Sequence, residues 1–153
     1  VDEAIGNSEL AIIFTRKGGS IYSALAGYGG ARFFYLTPQI SYPKHGDLET
    51  EMLIPSNDNS IILSALDKAL KASRDRNVSV VYDNISNMII SQGMEKTYNF
   101  LNYALEILSG SNVNALFLIN SESHDSKVVS TVRGLFEFHI VQNKEGVKVT
   151  KTL

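Results

Sequence analysis

Six residues, Thr15-Arg16-Lys17-Gly18-Gly19-Ser20, follow the apolar run Leu10–Phe14 and precede a helix-like segment. Nucleotide-binding α/β proteins keep their phosphate loop at that place. A working loop has the form G-x-x-x-x-G-K-[ST]: backbone N–H groups cradle the phosphates, the lysine reaches the outer ones and the hydroxyl holds magnesium. Here the glycines are adjacent, Lys17 comes before them, and no lysine precedes Ser20. The spacing is too short to wrap a triphosphate, so the segment reads first as a strand-to-helix turn with solvated Arg16 and Lys17. Ser20 at a helix start can still hold a small anion weakly, and this is kept as a sensor reading.

Asp83 ends the apolar segment Val78–Asp83. A carboxylate there matches the Walker B pattern, in which it orients magnesium. The plainer reading is a strand-ending Asp bonded to a following backbone N–H. The stretch 120–126, "NSESHDS", carries hydroxyls, carboxylates and His124. Ser123, His124 and Asp125 are consecutive, so their side chains diverge, and no nucleophile elbow occurs; a helix-capping loop is expected. His45 falls in a loop and His139 in a strand, which gives no zinc spacing. The chain has no cysteine, which removes thiolate chemistry and disulfides. Neither a catalytic residue nor a metal site is assigned.

The elements that must position these residues alternate. Strands are expected at 10–14, 31–37, near 52–54, at 78–83 and at 114–120. Helices are expected from Ser20 as cap to the Gly27–Gly30 cluster, after a cap at Asn57, Asp58 or Asn59, over 94–109, and from Ser126 to Gly134. In the long helix Met94, Tyr98, Leu101, Leu105 and Leu108 form the expected core stripe. The segment 84–93 reads as linker. The aromatic residues Phe33, Phe34, Tyr35, Tyr98, Phe100 and Tyr103 are expected to pack in the core rather than stack on bases. Residues 136–142 and 147–153 read as a closing hairpin with a longer turn at 143–146, adding an antiparallel edge to the sheet. The fold class is α/β: a three-layer α/β/α sandwich with a mostly parallel sheet. Ligands in such sheets bind beyond the carboxyl ends of the strands, at the topological switch point.

The 153 residues suit one domain, 10–153, after a loose lead-in at 1–9. The net charge of −2 gives no global attraction for nucleic acid, and no apolar run approaches a membrane span. A start at Val1 rather than Met suggests a piece of a longer protein, and a cytoplasmic setting is expected.

The run 78–125 resembles the Walker B strand, following helix and next strand of RecA/KaiC-like ATPases. It is closer to archaeal domains of unknown function that keep this core without the phosphate loop (Walker A). The front part, 18–43, is similar to the same group, and 136–153 to the KaiC-like terminal hairpin. The resemblance implies a RecA-like sheet and, by position, a Walker B role for Asp83. It places Lys151 where those hairpins set a basic residue near a neighbouring subunit's nucleotide. The phosphate-loop lysine is missing. So is the glutamate after the second strand, since Thr37-Pro38-Gln39 offers an amide instead of a base. The implied function is a non-catalytic regulatory or protein-interaction module with no cofactor. Its expected partner is another protein, flanking domains of its own polypeptide, or further copies of itself. The alternative is a residual nucleotide-binding ATPase using Arg16, Lys17, Gly18, Gly19 and Ser20 with Asp83, ATP and magnesium. A receiver domain phosphorylated on Asp83 fits poorly, because the first strand ends without the acidic pair that holds magnesium.

Overall fold

The computed structural model describes residues 9–25, 29–110, 112–143 and 145–151. The chain divides into two compact units, residues 1–119 and 120–153. Residues 1–8 of the lead-in expected at 1–9, and Gly27 of the Gly27–Gly30 cluster expected to stop the first helix, lie outside the described residues.

The first unit is built on a six-stranded sheet. Its strands are β1 (Leu10–Thr15), β2 (Ala31–Thr37), β3 (Lys44–His45), β4 (Glu51–Pro55), β5 (Val78–Asp83) and β6 (Val113–Leu118). The order is β3-β4-β2-β1-β5-β6, all parallel except β3. The five parallel strands, renumbered among themselves, run 3-2-1-4-5, as in doubly wound sheets. The order reverses between β1 and β5, so the carboxyl ends of these two strands flank the switch point.

Helices cover both faces. Helix α1 (Ser20–Leu25) lies on one, where Leu25 packs with Ala11, Ile13, Phe33, Tyr35 and Val81. On the other face an aromatic row crosses four strands in register: Phe34, Phe14, Tyr82 and Phe117. Phe14 stacks on Phe34 at 4.8 Å between ring centroids and lies 5.9 Å from Tyr82; Tyr82 lies 5.8 Å from Phe117. Helices α2 (Asn59–Lys71), α3 (Ile85–Gln92) and α4 (Met94–Ile107) belong to this unit, and Phe100 of α4 meets Tyr82 at 5.4 Å. Period-two alternation in β1 and β2 thus sends odd-numbered residues to one apolar layer and even-numbered ones to the other.

Asp58 caps α2, accepting from the Ile61 N–H at 3.2 Å and from the Ser60 hydroxyl at 2.6 Å. The Ser60 bond, then the Ile61 bond, hold its carboxyl below the usual carboxylate range. A carboxylate depressed on folding adds stability above its unfolded pKa and loses it as the pH falls through the folded value. Asp58→Ala is therefore expected to cost about 1 kcal/mol at neutral pH, with the gap from wild type narrowing in acid, as urea titrations at several pH values will show.

The segment 84–93, expected as linker, is instead helix α3. Asn84 caps it by accepting from the Asn87 N–H at 3.0 Å, and Ile85 and Met88 supply its buried side. Gly93, at φ +87°, ends α3 and starts α4, a backbone angle suited to glycine. The buried stripe of α4 is Thr97, Phe100, Leu101 and Ala104, continued by Leu108 just past its end. It is rotated from the expected one: Tyr98 is exposed and Phe100 takes the place against Tyr82, and Tyr103, expected in the core with the other aromatics, is exposed too. Strand β6 is only partly buried, since it pairs with β5 alone and forms the edge of this sheet.

The second unit holds a short 3-10 turn at Ser121–Ser123, helix α5 (Ser126–Arg133), β7 (Phe138–Asn143) and β8 (Gly146–Lys151). β7 and β8 form their own two-stranded antiparallel sheet, not an added edge of the six-stranded one. The closing pair Asn143↔Gly146 leaves two residues in the turn, shorter than expected. The Asn143 side chain accepts from the Glu145 N–H at 2.8 Å and makes that tight turn possible. Lys144 lies outside the described residues.

Candidate functional site

The carboxyl ends of β1 and β5 come together through one side-chain hydrogen bond. The Thr15 hydroxyl donates to Asp83 Oδ2 at 2.7 Å. Thr15 is fully buried, and Asp83 is half-buried at the strand tip. The two residues are 68 apart in sequence. Only the β1–β5 pairing makes them neighbours, so inspection of the sequence could not find Thr15 as a partner. The expected backbone-capping role of Asp83 passes to the next residue, Asn84.

Beside this pair opens a crevice of about 220 Å³, lined by Arg16, Leu36, Pro38, Ser56, Asn57, Tyr82, Asp83, Asn84, Asn87, Met88 and Ser91. Two of the sequence candidates, Arg16 and Asp83, therefore share one cavity. Its wall is pinned by a reciprocal amide pair between α2 and α3. Asn59 donates to Gln92 at 2.9 Å, Gln92 donates back at 3.0 Å, and the Gln92 amide also reaches the Ser56 carbonyl at 3.3 Å. Burial pushes the Tyr82 hydroxyl well above the ordinary phenol range, so it stays a neutral wall group.

Lys17, Gly18, Gly19 and Ser20 do not line this crevice. The Gly19 N–H donates to the Arg16 carbonyl at 3.1 Å, closing a tight turn on itself, with Gly18 at φ +85°. Lys17 leads away to an exposed ion pair with Asp47 at 3.0 Å and lies 5.7 Å from the Tyr35 ring centroid. Its hydrogen bond to Asp47 raises the ammonium pKa. Ser20, expected as the cap of α1, is its first helical residue. The Gly19 carbonyl before it accepts from the Ser23 N–H at 3.0 Å. A helix of six residues supplies little dipole for an anion.

An unforeseen acid lies on the α1 face. Glu51 is buried; its Oε1 accepts from the Tyr35 hydroxyl at 3.2 Å, and its Oε2 has no partner. Burial, and then the Glu51 charge, push the Tyr35 phenol up. Glu51 opens β4, one residue before the strand expected near 52–54, and no local pattern marks it as buried.

In the second unit Asp125 caps α5, accepting from the Val128 N–H at 3.0 Å, as the capping-loop reading requires. His139 Nε2 lies 2.8 Å from the Arg133 carbonyl. Lys151 pairs with Glu137 at 3.5 Å and sits 5.7 Å from the Phe138 ring centroid. Among the described residues no three His, Asp or Glu side chains group as a metal site requires, and no helix is long and apolar enough to cross a membrane.

No protein-family model matches the sequence, and no curated protein matches it significantly. Among solved structures, the uncharacterized protein PH0321 from Pyrococcus horikoshii, crystallised in complex with an unknown peptide, is similar in fold. The TM-score is 0.54 and the identity 12%, over 97% of this chain and 72% of that one.

Proposed function

We propose that this chain is a RecA/KaiC-like domain without catalytic activity, working as a regulatory or protein-interaction module. The observation behind this reading is the turn after β1. Its Gly19 N–H is taken by the Arg16 carbonyl, and its lysine is tied to Asp47 outside the crevice. Among the described residues this turn then offers neither a backbone cradle nor its ammonium to the tip of β5, where a triphosphate would have to lie. The Thr15–Asp83 bond engages one oxygen of the carboxylate that would orient magnesium, and 220 Å³ is small beside the roughly 300–1,000 Å³ of ordinary small-molecule sites.

The second reading, a residual nucleotide site, has one observation in its favour: Arg16 and Asp83 line the same crevice at the switch point. Thermal shift with ATP, ADP and GTP plus magnesium separates the two. The module reading expects no stabilisation, whereas a nucleotide at 100-fold above its dissociation constant adds about 2.7 kcal/mol. Stabilisation by ATP that Asp83→Asn abolishes would overturn it.

Two partner classes are to be tested first. PH0321 was seen with a peptide, which makes an extended peptide one of them. A second copy is the other, with Lys151 at the contact, as side-by-side RecA-like assembly implies. A peptide array probed with the labelled domain tests the former. Light scattering over a concentration series, with Lys151→Glu as control, tests the latter. No selected peptide and no self-association would sink the interaction role.

A further inference from the structure

A second hollow lies on the aromatic-row face, away from the crevice. It measures about 600 Å³ and runs between the outer strands β2 and β4 and helix α2. Phe34, Met52 and Ile54 form its floor, and Ala65 and Ala69 its helical wall. It is a groove open to solvent on one side, with a mainly apolar lining. It falls inside the size range of small-molecule sites. The cause is visible in the sequence: the helical wall carries serines and alanines where larger side chains would close the gap against Phe34.

The charged groups at this hollow share one sign. Arg32 and Lys68 line it, and no carboxylate does. Arg32 extends from the same face of β2 as Phe34 and holds its guanidinium 5.7 Å from that ring's centroid. Stacking in this way leaves the guanidinium edge able to fork a carboxylate. Asp67, beside Lys68 in the chain, is paired with Lys71 at 2.8 Å and does not neutralise it. An apolar floor with two cations at its side fits an amphiphile with a negative head, and opposes one with a positive head.

We propose that this hollow is a binding site for a small amphiphilic carboxylate, its apolar body lying on Phe34, Met52 and Ala65 and its carboxylate on Arg32 and Lys68. The probe set is decanoate, decanol and decyltrimethylammonium, each below its micellar concentration, titrated calorimetrically into the protein. Decanoate is expected to saturate one site and to bind about fivefold more tightly than decanol, the share a partly exposed ion pair supplies. The ammonium probe is expected to bind weakest. Ala65→Trp fills the hollow and should abolish decanoate binding. The double variant Arg32→Gln/Lys68→Gln should bind decanoate and decanol equally. Its two polar substitutions lie at the rim, so it tests the idea even if Ala65→Trp does not fold. Absence of saturable decanoate binding, equal affinity for all three probes, or binding unchanged in the double variant would overturn the proposal. So would a dimer that Ala65→Trp dissociates, since a second copy would then own the groove.

Discussion

Phe14→Ala is expected to lower stability by about 3–5 kcal/mol, a large part of the roughly 5–15 kcal/mol that holds a domain of this kind together. Phe14 stands at the centre of the aromatic row and is 1% exposed. Its ring stacks on Phe34 at 4.8 Å and borders Tyr82 at 5.9 Å. Truncation removes the transfer energy of a whole ring, leaves a hole that two strands cannot close, and breaks two ring–ring contacts. The melting temperature should drop by about 6–20 °C. Phe117→Ala removes a ring at the other end of the row, on the partly exposed edge strand, and should cost clearly less. Equal losses at the two positions, measured by urea unfolding, would show that the row is not the centre of the core.

Thr15→Val is expected to cost about 1.5–3 kcal/mol, although it is nearly isosteric and valine suits a strand. The loss comes from Asp83. Its Oδ2 accepts from the Thr15 hydroxyl at 2.7 Å, and valine leaves that half-buried oxygen without a donor. A bond to a charged group is worth more than a neutral one, and stranding the acceptor is worse than never burying it. The pairing makes a sharper claim than the single variant. Thr15→Val and Asp83→Leu made together should cost less than the sum of the two made separately, with a coupling of about 1 kcal/mol or more. Strict additivity in a denaturation cycle would mean that the hydrogen bond contributes nothing.

The strands were legible because their signal is local. The apolar runs at Leu10–Phe14 and Val78–Tyr82 mark strands covered on both faces, and each is one. The cap of α2 was legible as a choice among three neighbours, with Asp58 as the residue used. Helix α3 was missed because Ser86, Asn87 and Ser91 read as loop, while its buried side rests on just Ile85, Ser86 and Met88. Met94, Tyr98, Leu101, Leu105 and Leu108 fit a helical stripe as well as Thr97, Phe100, Leu101 and Ala104 do; the second faces inward, with Phe100 set against Tyr82. The fate of the hairpin depends on edge pairing between distant segments, which no local pattern encodes.

The candidate site divides in the same way. Arg16 and Asp83 line one crevice because the first follows β1 and the second ends β5, strands whose carboxyl ends flank the switch point, and that much follows from the alternation of elements. Lys17 was drawn off by Asp47, a residue thirty positions away on a loop whose course the sequence does not give. Thr15 read as the first residue of the turn after the strand expected at 10–14, and its importance comes from which strand lies beside it. The hollow under α2 is the opposite case. Its serines and alanines were in plain view, but an absence of side-chain volume leaves no motif to read.

Strand β3 comprises two residues, Lys44 and His45, both exposed, and it lies against the outer side of β4. Without it, the five residues of β4 would offer an open row of backbone donors and acceptors to any extended chain. With it, an incoming strand meets two rungs and a lysine, too short and too charged to template sheet growth. The protein therefore carries its own protection against aggregation on that flank, and it does so with a single dipeptide.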